Sequence, residues 1–161
     1  MPVTSERPTA DITELLDRLG SGHREGHYYA ALIGFRRYDP VHLASQIQRG
    51  FAYSAFERFL RNTALTHRAL AHVVGIPERT LARRKEAGRL EPDESDRLAR
   101  ASRIFARAIE LFEGNAEGAR DWLTHPHRAL GGRTPIEFAK TDVGAIEVEN
   151  VIGRLEHGIP V

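Results

Sequence analysis

The chain of 161 residues contains no cysteine, one methionine, one tryptophan and no long apolar run. The absence of cysteine excludes disulfide bonds, thiolate nucleophiles and cysteine-ligated zinc. No segment approaches the roughly 20 apolar residues that span a bilayer, and the polar start lacks a signal-peptide core. We therefore expect a cytoplasmic protein without membrane contact.

Net charge is also small, at +1, although 28% of the residues are charged and 41% are hydrophobic. This composition is globular, and the length suits one domain or two small ones. From Glu113 to the end, eight acidic residues outnumber five basic ones. Affinity for nucleic acid would therefore depend on a local basic cluster, because the chain as a whole is almost neutral.

Motifs of common enzymes are missing, including the nucleophile elbow, the zinc-protease signature and phosphate-binding loops. The chain has eight histidines, but their spacing is unfavourable for a metal site. His67 and His72 would lie about 140° apart on a helix, and the pair His125 and His127 has no further ligands nearby. We expect no enzyme activity, no metal and no cofactor.

Helical patterns dominate, so the expected fold class is all-α. Asp39 and Pro40 are typical of a helix start, and Gly50 of its end. The segment 21–38 shows no clear period and is expected to be irregular apart from one helical or extended turn. Apolar stripes mark an N-terminal helix (Ile12, Leu15, Leu16, Leu19), the helix before residue 65 (Phe56, Phe59, Leu60) and the last helix (Val148, Val151, Ile152, Leu155).

A helix starting near Pro92 carries apolar residues spaced 3, 4, 3 and 4 apart, which is typical of a coiled-coil-like seam. This seam can be buried in the protein's own core or pair with a second copy, and the spacing leaves both open. Its members are Leu98, Ala101, Phe105, Ala108 and Phe112.

Residues 65–89 have the small and apolar residues of a helix-turn-helix where that motif needs them. Ala71 allows close approach of two helices, Gly75 suits a left-handed turn, and Leu81 would pack the second helix on the first. Arg79 and Arg83 would each lie about 160° from Leu81 and so point outward. These two arginines are the candidate readers of guanine in the major groove.

Other polar side chains of the second helix complete the candidate DNA-binding surface. Thr80 could reach a base edge or a phosphate, whereas Arg84, Lys85 and Arg89 are expected on phosphates. The competing interpretation is an ordinary helical hairpin with a solvated basic face. Between Arg79 and Arg89, five basic residues against the single acid Glu86 favour DNA binding. Arg84 occupies a position where many such motifs have an aliphatic residue, so it could serve folding instead.

Four segments together resemble the Xre/MbcA/ParS family of antitoxins. They are RTLARR (79–84), GRLEPDESDRL (88–98), ALGGRTPIE (129–137) and GRLEHGIPV (153–161). In the third segment, Thr134 and Glu137 are spaced as a capping box. The resemblance covers residue 43 to the end and implies a type II toxin-antitoxin system whose partner is a RES-domain toxin that consumes NAD. The C-terminal domain would cover the toxin's active-site cleft, and a homodimer would repress its own promoter on double-stranded DNA.

We expect three parts: an N-terminal arm (1–40) with a candidate role in dimerisation, a helix-turn-helix DNA-binding domain (41–113) and a small helical toxin-binding domain (114–161). The resemblance has no counterpart for the arm. An alternative is a transcriptional regulator whose C-terminal domain only oligomerises or senses a ligand. By position, the toxin-binding residues are Gly131, Gly132, Arg133, Thr134, Pro135, Arg154, Leu155, His157, Gly158, Ile159, Pro160 and Val161.

Overall fold

The computed structural model describes residues 12–13, 16–17 and 29–161, and from residue 29 onward it is helical throughout apart from turns. The all-α prediction is confirmed: over the described residues, extended pairing is limited to two isolated bridges, Ala52 with Arg89 and His127 with Arg133. The helices are α1 (Tyr29–Leu32), α2 (Pro40–Arg49), α3 (Tyr53–Thr63), α4 (His67–Val74), α5 (Glu78–Ala87), α6 (Pro92–Leu111), α7 (Ala116–Thr124), α8 (Pro135–Phe138) and α9 (Asp142–Glu156), with a 3-10 turn at Arg128–Leu130.

Helix starts follow local capping chemistry. The Asp39 side chain accepts hydrogen bonds from the amides of Val41 and His42, and Pro40 occupies the first turn of α2. Thr66 caps α4 and Asn115 caps α7 in the same way, each accepting from a backbone amide three residues later. These hydrogen bonds satisfy amides that would otherwise have no partner inside their helix.

The long helix α6 is the centre of the molecule and contacts α1, α2, α3, α4, α7 and α9. Phe105 is fully buried and meets Phe59 of α3 edge-on, with 5.8 Å between ring centroids. The apolar seam thus lies in the protein's own core, and the alternative of a seam paired across a dimer is wrong for its buried members, Leu98, Ala101, Phe105 and Ala108.

One continuous core joins the N-terminal helices to the C-terminal ones, since buried residues from Leu32 to Ile152 form a single cluster. The chain turns sharply after α6, where Glu113 and Gly114 both have positive φ. The division of the chain after residue 113 remains a prediction. Helix α6 contacts helices that come before this point, such as α3, and helices that come after it, such as α7.

The N-terminal stripe is described only in part. Residues 12–13 and 16–17 are helical, and Ile12 and Leu16 are half-buried against the core. The amide of Ile12 donates to Asn62 Oδ1 at 3.3 Å. Leu15 and Leu19 lie outside the described residues, and the role of the arm in dimerisation remains a prediction. No helix in the described part of the chain is both long and apolar enough to cross a membrane.

Candidate functional site

The turn between α4 and α5 has the geometry of a helix-turn-helix. Ala71 is buried, and Gly75 adopts φ +71° while its amide donates to the carbonyls of Ala71 and His72. Arg97 of α6 donates from Nε to the Val74 carbonyl at 2.6 Å and fixes this turn to the central helix. Pro77 is the N-cap of α5 and directly precedes its first helical residue.

The outward face of α5 carries Arg79 and Arg83, both exposed, while Leu81 is half-buried against the core. Lys85 is exposed as well, with Nζ 4.0 Å from a carboxylate oxygen of Glu57. Basic residues are thus presented along the surface of one helix, which is the electrostatic arrangement that attracts a phosphate backbone.

Thr80 is not part of this exposed surface, because only 8% of it is accessible. The expectation that its side chain faces DNA is therefore wrong. Arg89 lies on the surface, but its Nη1 donates to the carbonyls of Arg49 and Gly50, at 3.2 and 2.9 Å, and so joins α5 to the end of α2.

Arg84 points toward α6 and forms a two-point ion pair with Glu94. Its Nε lies 2.9 Å from Oε2 and its Nη2 lies 3.0 Å from Oε1, and Glu94 is only 5% exposed. This hydrogen bonding to the carboxylate is the main cause that raises the pKa of the Arg84 guanidinium. Glu94 also accepts from the Glu91 amide at 2.8 Å, which completes a capping box at the start of α6. Arg84 thus anchors α5, a placement at odds with the expected phosphate contact.

The turn before α8 presents part of the predicted toxin-binding set. Gly131 and Gly132 are exposed with positive φ, and the Arg133 guanidinium lies 5.3 Å from the ring centroid of Phe138. Thr134 caps α8 by accepting from the Glu137 amide. Pro135 is buried, so the expectation that it contacts a partner is wrong in this conformation.

Glu137 does not reach back to the Thr134 amide as the capping-box spacing predicts. Its carboxylate accepts from the Thr134 hydroxyl at 3.1 Å and lies 3.5 Å from Nε2 of His72 on α4. In the described part of the chain, no group of three or more acidic or histidine side chains is placed to hold a metal ion.

The chain reverses direction at the end of α9. Gly158 has φ +66°, and the Ile159 amide donates to the Arg154 carbonyl at 2.9 Å, the bonding of a Schellman motif. The three residues that follow this turn, Ile159, Pro160 and Val161, are all exposed. Leu155 is half-buried and packs against the core, and its toxin contact remains a prediction.

An open groove of about 550 Å³ lies along the outward side of α9, and Ile159 forms part of its wall. Sequence reasoning missed several residues of this groove, among them Glu147, Asn150 and Gly153. The signal that could have found them is a glycine inside an otherwise regular helix, because glycine weakens helices and needs a reason there.

Two family descriptions match the chain. Residues 42–103 match the antitoxin Xre-like helix-turn-helix domain, and residues 107–158 match the antitoxin Xre/MbcA/ParS C-terminal toxin-binding domain. An antitoxin Xre from Yersinia enterocolitica is 36% identical over 118 residues, 73% of this chain and 80% of that protein. An antitoxin Xre from Pseudomonas putida is 30% identical over 159 residues, 98% of each chain.

The chain belongs to the Xre family of antitoxins. A more distant relative from Sphingobium sp., 23% identical over 133 residues that cover 76% of this chain and 82% of that one, is named Prs ADP-ribosylating antitoxin. The antitoxin thus has a helix-turn-helix domain and a toxin-binding domain of the type II toxin-antitoxin systems. The toxin-binding match includes the end of α6, all of α9 and the turn at Gly158.

Proposed function

We propose that this antitoxin neutralises a RES-type, NAD-consuming toxin by covering its active-site cleft, and that it represses its own operon by binding promoter DNA as a homodimer. The observation that carries the proposal is the simultaneous exposure of two separate sets of residues. Arg79 and Arg83 lie on α5, and the apolar tail of residues 159–161 follows the end of α9.

The C-terminal charge supports the toxin half of the proposal. A mildly acidic domain suits a cleft that is shaped to receive the phosphates of a dinucleotide, since such a cleft attracts negative charge. The name of the Sphingobium relative refers to ADP-ribosylation, a chemistry that uses NAD as its donor. Measuring cellular NAD and ADP-ribose on proteins, after the neighbouring gene is expressed alone, distinguishes NAD hydrolysis from transfer.

Removal of residues 158–161 tests the tail. A longer deletion from Arg154 would also remove the bonds from Arg154 to Glu147 and from Arg107 to Glu156, and would therefore disturb α9. We expect the shorter deletion to lose protection from the toxin while promoter affinity and the melting temperature stay unchanged. Full protection by the shortened chain would rule out the tail as the cover of the cleft.

Arginine substitutions on α5 test the DNA half. Arg79→Ala and Arg83→Ala should each reduce specific over non-specific binding by about 1–3 kcal/mol if these side chains read bases. Arg128→Ala is the matched control, because it removes the same charge from an exposed arginine of the C-terminal part. If the Arg79 and Arg83 variants instead lose affinity equally for all DNA sequences, with a shallower salt dependence, these side chains are phosphate contacts. Equal affinity for all variants would reject α5 as the DNA-binding helix.

A further inference from the structure

The position of helix α5 depends on contacts at its two ends, because its middle contributes little to the core. Within α5, which the structure describes in full, only Thr80 is buried. Arg84 and Arg89 hold the C-terminal end through the bonds to Glu94 and to the end of α2. The N-terminal part, which carries Arg79, therefore takes its direction from the turn that precedes it.

The last carbonyls of α4 have no partner inside their own helix, so the turn and its surroundings must supply one. The Gly75 amide donates to the carbonyls of Ala71 and His72. The Val74 carbonyl accepts from Arg97 of α6, with 2.6 Å between Nε and the oxygen. A positive guanidinium suits this place, because the C-terminal end of a helix carries partial negative charge. Arg97 thus fixes the end of α4 to the central helix.

The Arg97 guanidinium lies directly on the turn between α4 and α5. A Cβ on Gly75 would lie 3.1 Å from Nε of Arg97. The Arg97 side chain is 28% exposed, and its Nη2 lies 3.4 Å from Oδ2 of Asp93, four residues earlier on α6. Hydrogen bonds from charged donors are stronger than those between neutral groups, and more so away from water. Arg97 is therefore oriented from its own helix and closed over the backbone that leads into α5.

Helix α6 makes the same kind of contact a second time, three residues later. Arg100 donates from Nη1 to the Lys140 carbonyl at 3.1 Å and from Nη2 to Asp96 at 2.9 Å. Its side chain is 16% exposed, so it is more buried than that of Arg97. The carbonyl that Arg100 holds, however, belongs to the turn between α8 and α9. The two arginines share their chemistry and differ in the part of the molecule that they fix.

We propose that Arg97 is a positioning residue for DNA recognition. By holding the Val74 carbonyl, it sets the direction in which α5 leaves the turn and presents Arg79. The inference rests on the proposed function, in which α5 reads the promoter, and adds a residue that does not itself touch DNA. Without this bond the start of α5 can shift while Arg84 still holds the other end. A hydrogen bond to a base edge needs a donor–acceptor distance of about 2.7–3.2 Å, so a small shift of Arg79 weakens it.

The test compares Arg97→Met with Arg100→Met, its matched control, in the full-length antitoxin. Affinities for a promoter duplex and for a duplex of scrambled sequence are measured over a range of salt concentrations. For Arg97→Met we expect the ratio of promoter to scrambled affinity to fall by about five-fold or more, with an unchanged salt dependence. Arg100→Met should lower the melting temperature by as much but keep the ratio. Arg97→Lys, which keeps the charge and loses the Nε donor, should stay folded and lower the ratio by less.

A double variant shows whether Arg97 acts through Arg79. If it does, Arg97→Met should lower the ratio much less in a chain that already carries Arg79→Ala, because the contact to be positioned is gone. Additive effects of the two substitutions would overturn the inference.

Other results would also overturn it. Equal loss on both duplexes with a shallower salt dependence would make Arg97 a phosphate contact. An equal fall of the ratio in Arg97→Met and Arg100→Met would make the effect one of general stability. A ratio unchanged in both Arg97 variants but lowered in Arg79→Ala would reject the positioning role and leave the proposed function intact. If Arg79→Ala and Arg83→Ala also leave both affinities unchanged, α5 is not the DNA-binding helix and the proposed function fails as well.

Discussion

The ion pair between Arg84 and Glu94 replaces an aliphatic contact between α5 and α6, and its removal gives a sharp prediction. Glu94 is only 5% exposed. Arg84→Met would remove the arginine from its carboxylate, which would keep the hydrogen bond from the Glu91 amide. Breaking a buried ion pair on one side costs about 3–5 kcal/mol, and the lower end applies because Arg84 is only partly buried. We expect a loss of about 3 kcal/mol in the free energy of unfolding, measured by urea denaturation.

The double variant Arg84→Met with Glu94→Gln separates stability from DNA binding. The introduced glutamine side chain would still accept from the Glu91 amide, so the cap of α6 is kept while both charges are removed. Most of the lost stability should return, because the uncompensated charge is gone. If Arg84 serves only to anchor α5, the double variant binds promoter DNA as the unchanged protein does.

Two results would refute this reasoning. A loss below about 0.5 kcal/mol for Arg84→Met would show that the pair behaves as an ordinary surface salt bridge. A double variant that is stable but binds DNA more weakly, with a salt dependence reduced by about one phosphate contact, would restore the phosphate role predicted from the sequence.

Three further predictions concern the core and pH. Gly144→Ala should lower the melting temperature by several degrees, because its Cβ would overlap the Phe138 carbonyl, whereas Gly153→Ala should not. Phe105→Ala should cost about 3–5 kcal/mol in urea denaturation, since it removes a fully buried ring from the centre of the core. Burial, followed by the neighbouring Tyr38, raises the pKa of Tyr29 from 10.0 to about 12. The unfolded chain therefore loses this proton first, so stability should fall as pH rises from 10.0 to about 12, and Tyr29→Phe should reduce that fall.

Local signals were the part of the fold that could be predicted from sequence. The caps at Asp39 and Asn115 and the turn at Gly75 involve residues within four positions of one another, so the sequence contains the whole interaction. Packing between helices that are far apart in the sequence could not be predicted in this way. The seam of α6 has the same spacing whether it packs on its own core or on a second copy, and only the other helices decide between them.

The predicted orientation of side chains on α5 was partly wrong because it was judged from a single residue. Taking Leu81 as the centre of the inward face of α5 placed Arg79 and Arg83 correctly, but the inward face also includes Thr80 and Arg84. Since neighbouring residues on a helix differ by about 100°, the true centre lies between these three residues. Arg84 can face inward only because Glu94, ten positions later, supplies a charge partner.

At the C-terminal end, assignment by motif also ignored which way each side chain faces. Pro135 and Leu155 were included because they lie inside matching segments, whereas the structure turns both toward the core. Gly153 lies at the start of a matching segment, and the sequence did not single it out as a residue of the α9 groove. A Cβ on Gly153 would meet nothing within 4 Å, and no spacing pattern in the sequence reveals this open space.

We propose that two separate surfaces of one molecule bind DNA and toxin. The most direct measurement is the mass of a mixture of antitoxin, catalytically inactive toxin and promoter duplex, taken by light scattering after size exclusion. If the two surfaces bind independently, a single complex that contains all three components is expected. Displacement of the DNA by the toxin, with only binary complexes at every ratio, would contradict it.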